Sequence, residues 1–188
     1  TDDEEIAIIA EKHGAEVPFL RPASFAQDDT PDQPMLQHAL DSLKQQNRYE
    51  PDIVLNLRPT TPLKTPQTID KVVEKIEETK ADIVRTMTQV EGVYHPYWMY
   101  TMSPDSLVVP FLDDINISDY HQRQLLPQVY RINGVVDAYM KNTVTTGNIL
   151  ESVNMCGLII PEEESIDIDT EFDFYMCELF LRKALSIE

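Results

Sequence analysis

Apolar residues first recur at helical spacing close to the N-terminus, where Ile6, Ile9 and Ala10 follow a Thr1-x-x-Glu4 pair of capping-box form and precede Gly14, a left-handed stop. A helix is predicted there. Residues 15–20 are short and extended, and Arg21 to Pro34 is a polar loop with three prolines. From about Pro34 to Asn47 a stripe of Met35, Leu36, Ala39, Leu40 and Leu43 predicts a second helix. Asp52 to Leu57 is almost continuously apolar, as in a strand covered on both faces, and ends in the loop Arg58-Pro59-Thr60-Thr61-Pro62-Leu63-Lys64. Thr65 and Pro66 then open a helix in the favoured order of cap and proline, with Ile69, Val72, Val73 and Ile76 inward, and a strand follows from Asp82 to Val90.

This alternation implies crossover connections, hence an α/β fold with a mainly parallel, Rossmann-like sheet whose ligands bind beyond the strand C-termini. Residues 91–130 break the rhythm with His95-Pro96-Tyr97-Trp98, a hairpin around Ser103 to Ser106 and a polar stretch from Asp113 to Gln124; they read as an excursion from the core. Strands return at Gly134 to Met140 and at Cys156 to Ile160. A last helix starts at Thr170, paired with Asp173 as a cap, and is expected to bury Phe172, Tyr175, Met176, Leu179 and Phe180. At 188 residues the chain is expected to form a single domain.

Charge narrows the function classes. With 33 acidic against 15 basic side chains, a net charge of −18, the surface is unsuited to nucleic acid or anionic lipid, so an anionic substrate must be met by a few local arginines or a metal. The five glycines form neither a dinucleotide fingerprint nor a P-loop. Cys156, Cys177 and the histidines His13, His38, His95 and His121 are scattered, which points away from a disulfide framework or zinc site and toward a reducing cytoplasm. No apolar run approaches about 18 residues, and the acidic start Thr1-Asp2-Asp3-Glu4-Glu5 is unlike a signal peptide.

The sharpest local pattern is Ser165-Ile166-Asp167-Ile168-Asp169-Thr170. In an extended segment Ile166 and Ile168 share the core face while Asp167 and Asp169 project together. Two adjacent carboxylates just before a helix suit Mg2+, which takes one or two carboxylates plus waters and phosphate oxygens; equally, they can solvate a strand end and favour the helix dipole. Arg21 and Arg58 each follow an extended segment, where a planar guanidinium can hold a phosphate or a base edge, or simply occupy a turn. Arg123-Gln124-Leu125-Leu126-Pro127 and Arg131-Ile132-Asn133-Gly134 admit the same two readings.

Taken in order, Thr1-Asp2-Asp3, Arg21-Pro22-Ala23, Asp29-Thr30, Arg58-Pro59-Thr60-Thr61-Pro62-Leu63, His95-Pro96, Arg123 to Pro127, Asn133-Gly134 and Ile166-Asp167-Ile168-Asp169-Thr170-Glu171 resemble the acylneuraminate cytidylyltransferases, which make CMP-activated sialic acids. The resemblance covers essentially the whole chain. It implies a nucleotide-diphospho-sugar transferase fold in which the anomeric hydroxyl of a nonulosonic acid attacks the α-phosphate of CTP and pyrophosphate leaves. By matching motifs, Asp167 and Asp169 would be catalytic and hold Mg2+, and the first would also orient or deprotonate the attacking hydroxyl. Arg21, Arg58 and Thr60 would contact the nucleotide, and Arg123, Gln124 and Asn133 the sugar, with Arg123 pairing its carboxylate. The excursion, residues 91–130, would be a dimerisation arm of a homodimer.

Three departures shape the expectation. The family's strand and lysine-bearing phosphate loop lie upstream of the motif at which this chain begins, so the resemblance implies an N-terminally truncated form with negligible transfer activity alone. Arg58 stands where many relatives have glutamine, and Trp98 where some have a basic residue. Transferases for Kdo, legionaminic or pseudaminic acid, and an inactive dimeric paralogue, are the alternative readings.

Overall fold

A computed structural model describes residues 1–150, 152 and 154–184. Its helices are α1 (Glu4–Lys12), α2 (Asp32–Asn47), α3 (Pro66–Thr79), α4 (Lys141–Thr146) and α5 (Glu171–Ala184). Its strands are β1 (Ile53–Asn56), β2 (Ile83–Gln89), β3 (Tyr100–Met102), β4 (Val108–Pro110), β5 (Tyr130–Met140) and β6 (Met155–Ile159). β3 and β4 form the expected hairpin. Residues 15–20 form no strand.

The main sheet has the order β1-β5-β2-β6. β5 runs antiparallel to β1, with Ile53 opposite Met140 and Asn56 opposite Asp137. It also opposes β2: Met140 N donates to Asp82 O and Val90 N to Val129 O, so one strand ascends as the other descends. β2 and β6 ascend together, from Asp82 N to Asn154 O and from Ile160 N to Met87 O. The sheet is therefore mixed, where the alternation predicted mainly parallel strands. β5 comes back from the excursion with no crossover helix, and an antiparallel neighbour needs none.

The chain divides into two compact units, Thr1–Asn56 with Val73–Val84 and Asp137–Cys156, and Leu57–Val72 with Arg85–Val136 and Gly157–Glu188. In the first, Leu36 and Leu40 of α2 pack with Ile83, Tyr139, Val144 and Ile149, and Met35 and Val54 lean on this cluster. Each such side chain contributes about 1.5–3 kcal/mol by leaving water. Gln33 Nε2 donates to Val144 O at 3.0 Å and Asn56 Nδ2 to Asp32 Oδ2 at 3.1 Å. α1 is capped by Asp3, which accepts from Ile6 N at 2.9 Å, rather than by Thr1. Its buried residue is Ala7, and Ile6 and Ile9 are exposed.

The second unit buries a polar network alongside Val72, Val135, Val136 and Ile160. Thr86 Oγ1 donates to Asn133 Oδ1 at 2.7 Å, and Asn133 Nδ2 to Thr88 Oγ1 at 2.8 Å, all three residues being buried. Thr65 caps α3 by accepting from Thr68 N at 3.2 Å, and Thr68 Oγ1 donates to Glu164 Oε2 at 2.6 Å. Of α5 only Cys177 is buried; Phe172, Tyr175 and Leu179 are exposed and Met176 and Phe180 half-buried, against expectation. Helical spacing marks an apolar stripe but not what, if anything, covers it.

Candidate active site

The loop after β1 is folded around one lysine. The Arg58 carbonyl accepts from Lys64 Nζ at 2.7 Å and from the Thr61 hydroxyl at 3.1 Å, and Lys64 also donates to the Thr61 carbonyl. Thr61 is wholly buried, so the turn closes on its own polar groups. Burial pushes the Lys64 ammonium below its ordinary pKa, and the negative charge of Asp167 acts in the opposite sense. The same loop takes the acidic segment as a neighbour: Ile168 N donates to Thr60 O at 2.8 Å.

That segment alternates as the sequence implies. Ile166 and Ile168 are half-buried, Asp167 and Asp169 exposed, in an extended run between a 3-10 turn, Glu162–Ser165, and α5. Asp173 Oδ2 accepts from the Thr170 hydroxyl at 2.7 Å, from Thr170 N at 2.9 Å and from Asp169 N at 3.3 Å, while Thr170 Oγ1 accepts from Asp173 N. These bonds, the Thr170 hydroxyl first, hold the Asp173 carboxyl below its ordinary range. The peptide carrying Asp169 is thereby pinned to the helix start, a reciprocal capping box. Neither Asp167 nor Asp169 accepts a hydrogen bond at its carboxylate among the described residues.

Two exposed carboxylates two positions apart are hard oxygen donors of the kind Mg2+ takes, and no cluster of three or more His, Cys, Asp or Glu side chains suited to a metal occurs among the described residues. The donor set thus fits an ion that completes its shell with water and substrate oxygens, and does not fit an all-protein cage.

β5 supplies the next group. Arg58 Nη1 donates to Gly134 O at 3.4 Å, and Gly134 adopts φ +67°, where an added Cβ would stand 3.0 Å from Arg58 Nη1. The left-handed backbone favours glycine there, and an added Cβ would press the guanidinium aside. Asn133 next to it points inward, both ends of its amide bonded to threonines and Val135 N donating to Oδ1 at 3.2 Å. Arg131 Nη2 donates to Ser165 Oγ at 3.1 Å, which joins β5 to the turn before the acidic segment.

Arg123 and Gln124 are exposed on a short 3-10 turn, Arg123–Leu125. They line a pocket of about 260 Å³ with Gly92, His95 and Pro127. A larger cleft of about 750 Å³, which includes Tyr94, Met99, Tyr130, Arg131 and Glu162, shares Gln89, Val90 and Glu91 with it. In the first unit, Arg21 pairs with Asp2 through Nη2 and Oδ1 at 2.8 Å, and holds the Asp2 carboxyl below its ordinary range; Arg21 Nε is buried and has no hydrogen-bond partner among the described residues.

The second unit therefore holds Arg58, Thr60, Arg123, Gln124, Asn133, Asp167 and Asp169, and the first holds Arg21. Direct bonds link the Thr60 loop to the acidic segment and Arg58 to the residue after Asn133. Lys64, Arg131 and Asp173 join these residues. Each lies in a motif visible in the sequence, Lys64 at the end of the Arg58 loop, Arg131 before Asn133-Gly134 and Asp173 in the cap of α5, but the bond of Arg131 to Ser165 depends on a residue 34 positions away.

No family model matches the chain. CMP-N,N'-diacetyllegionaminic acid synthase of Legionella pneumophila is 31% identical over 183 residues, which are 95% of this chain and 74% of that protein. The chain belongs to the sialic-type CMP-sugar synthetase family. Post-translational flagellin modification protein B of Campylobacter coli is 27% identical over 97% of this chain and 75% of its own length. A pseudaminic acid cytidylyltransferase of Campylobacter jejuni is 31% identical over 91 residues, 48% of this chain and 39% of its own length. The solved structure of CMP:2-keto-3-deoxy-manno-octonic acid synthetase complexed with CTP has a TM-score of 0.64 at 12% identity, over 98% of this chain and 79% of that one, and shares the fold.

Proposed function

We propose that this family member is an enzyme that transfers CMP from CTP to a nonulosonic acid and releases pyrophosphate. The observation that carries the reading is the Ile168 N to Thr60 O bond, which sets two exposed carboxylates beside the Arg-Pro-Thr-Thr-Pro-Leu loop. The relatives named for legionaminic and pseudaminic acids support the substrate class.

Asp167 and Asp169 would hold Mg2+, which when bound neutralises charge building on the phosphates. Asp167 also faces the attacking hydroxyl, where its carboxylate accepts the proton. Lys64 closes the loop through the Arg58 and Thr61 carbonyls, and the negative charge of Asp167 favours its ammonium form against the effect of burial. Arg58 and Thr60 meet the nucleotide. Arg123 pairs with the carboxylate of the acid in fork geometry and Gln124 bonds its hydroxyls. Asn133 contributes from inside, fixing β5 at the level where Gly134 receives Arg58. Most of the rate in such a transfer comes from position and charge.

The exposed apolar side chains of the hairpin, Tyr100, Met102, Val108, Val109 and Phe111, support a homodimer formed through residues 91–130. No helix among the described residues is long and apolar enough to cross a membrane, and the free thiols of Cys156 and Cys177 support a cytoplasmic site of action.

Pyrophosphate release by the native protein, with CTP, Mg2+ and a panel of N,N'-diacetyllegionaminic, pseudaminic, N-acetylneuraminic and Kdo acids, tests the reading. Release with one or more of them is expected. Absence of release with every member would overturn it.

A further inference from the structure

Two segments of the second unit, distant in sequence, meet at one imidazole. His95 is 1% exposed. Its Nδ1 accepts from Tyr97 N at 3.1 Å, capping the 3-10 turn Pro96–Trp98, and its Nε2 stands 3.0 Å from the Pro127 carbonyl. A carbonyl can only accept, and Nδ1 already does, so the proton sits on Nε2 and is donated to Pro127. The ring is further fixed by the edge of Tyr97, whose centroid lies 4.8 Å away.

Pro127 ends the segment that carries Arg123 and Gln124, and that segment has few anchors of its own. Arg123, Gln124, Leu125 and Pro127 are exposed and Leu126 only half-buried. The other support comes from the same turn as the histidine. Gly92, at φ +57°, lies under the Arg123 guanidinium, where a Cβ would stand 3.3 Å from Cζ, and Gly92 O accepts from His95 N at 3.1 Å. One turn thus forms a floor beneath Arg123 and a tether to Pro127.

We propose that His95 is a positioning residue for the acid substrate: by holding the Pro127 carbonyl it sets where Arg123 and Gln124 meet the sugar. The proposal rests on the reading of Arg123 as the partner of the substrate carboxylate. Two parallel bonds from a guanidinium tolerate little displacement, and a shift of about 1 Å lowers rates by about 100-fold in comparable sites.

The two functions of the ring can be separated. Asparagine places an acceptor near Nδ1 and keeps the cap, whereas the amide nitrogen of glutamine reaches the Nε2 position and keeps the tether. With the native protein, His95→Asn and Arg123→Ala are each expected to raise KM for the acid by about 10-fold or more, His95→Gln by less than about 3-fold, with KM for CTP unchanged throughout. Equal effects of Asn and Gln, or parallel changes in both KM values, would reduce His95 to a packing residue and overturn the proposal. A normal KM in Arg123→Ala would instead remove the reading of the site. The tether is then judged by the imidazole 15N spectrum: protonated Nε2 with bare Nδ1 supports it, and the opposite tautomer overturns it.

Discussion

The two units bury polar side chains to different extents. The first centres on a cluster of aliphatic side chains and a tyrosine around Leu36, Leu40, Ile83 and Tyr139, with Asp137 and Thr143 as its buried polar residues; the second buries Thr86, Thr88, Asn133, Thr61 and His95 on one another's polar atoms and on backbone groups, alongside Val72, Val135 and Val136. Apolar burial is strong and non-directional, so it fixes that elements pack but tolerates small displacements. Hydrogen bonds add about 0.5–1.5 kcal/mol each in net terms, yet they lose most of this when geometry slips. A polar interior is thus a device for placing loops, and in this chain it lies in the unit that carries all the candidate residues but Arg21.

Substitutions in either unit probe this difference. The largest stability effect belongs to the apolar cluster: Ile83→Ala, at a fully buried position, should lower unfolding free energy by about 2–5 kcal/mol in urea titration, with KM values of the folded enzyme unchanged. Asn133→Ala should lose about 1–3 kcal/mol, since it strands Thr88 and frees Thr86, and in contrast it should raise KM because β5 and Arg58 lose their level. Gly134→Ala should follow at about 1–2 kcal/mol, from its left-handed backbone, with a displaced Arg58 read as weaker CTP binding in calorimetry. Smallest is a chemical readout: burial first, then the charges of Asp173 and Asp167, raise the Cys177 thiol pKa, so its alkylation at pH 8 should be slow until the protein is unfolded.

The two units were unequally legible in the sequence. Elements whose signal is local were plain: the Thr65-Pro66 start of α3, the continuous apolar run of β1, the hairpin, and the period-two alternation of Ile166 to Asp169 all stand as read. What depended on partners was not. The direction of β5 is set by which neighbour it joins after the excursion, and its first residues, Tyr130 to Ile132, are exposed and carry no apolar run. α5 has an apolar stripe whose residues are mostly uncovered, a fact that spacing cannot hold. The inward turn of Asn133 and the burial of His95 are likewise decided by Thr86, Thr88 and Pro127, which lie 32 to 47 positions away. Polar interiors are written in pairs, and a single sequence displays its residues one at a time.

On the proposed reading, the exposed pair Asp167 and Asp169 carries the transfer. It is tested most directly by pyrophosphate release from Asp169→Ala beside the unaltered protein, at saturating CTP, Mg2+ and acid substrate, with thermal unfolding followed in parallel. A loss of about 100-fold to 1,000-fold in kcat at an unchanged melting temperature is predicted. Turnover equal to that of the unaltered protein would contradict it.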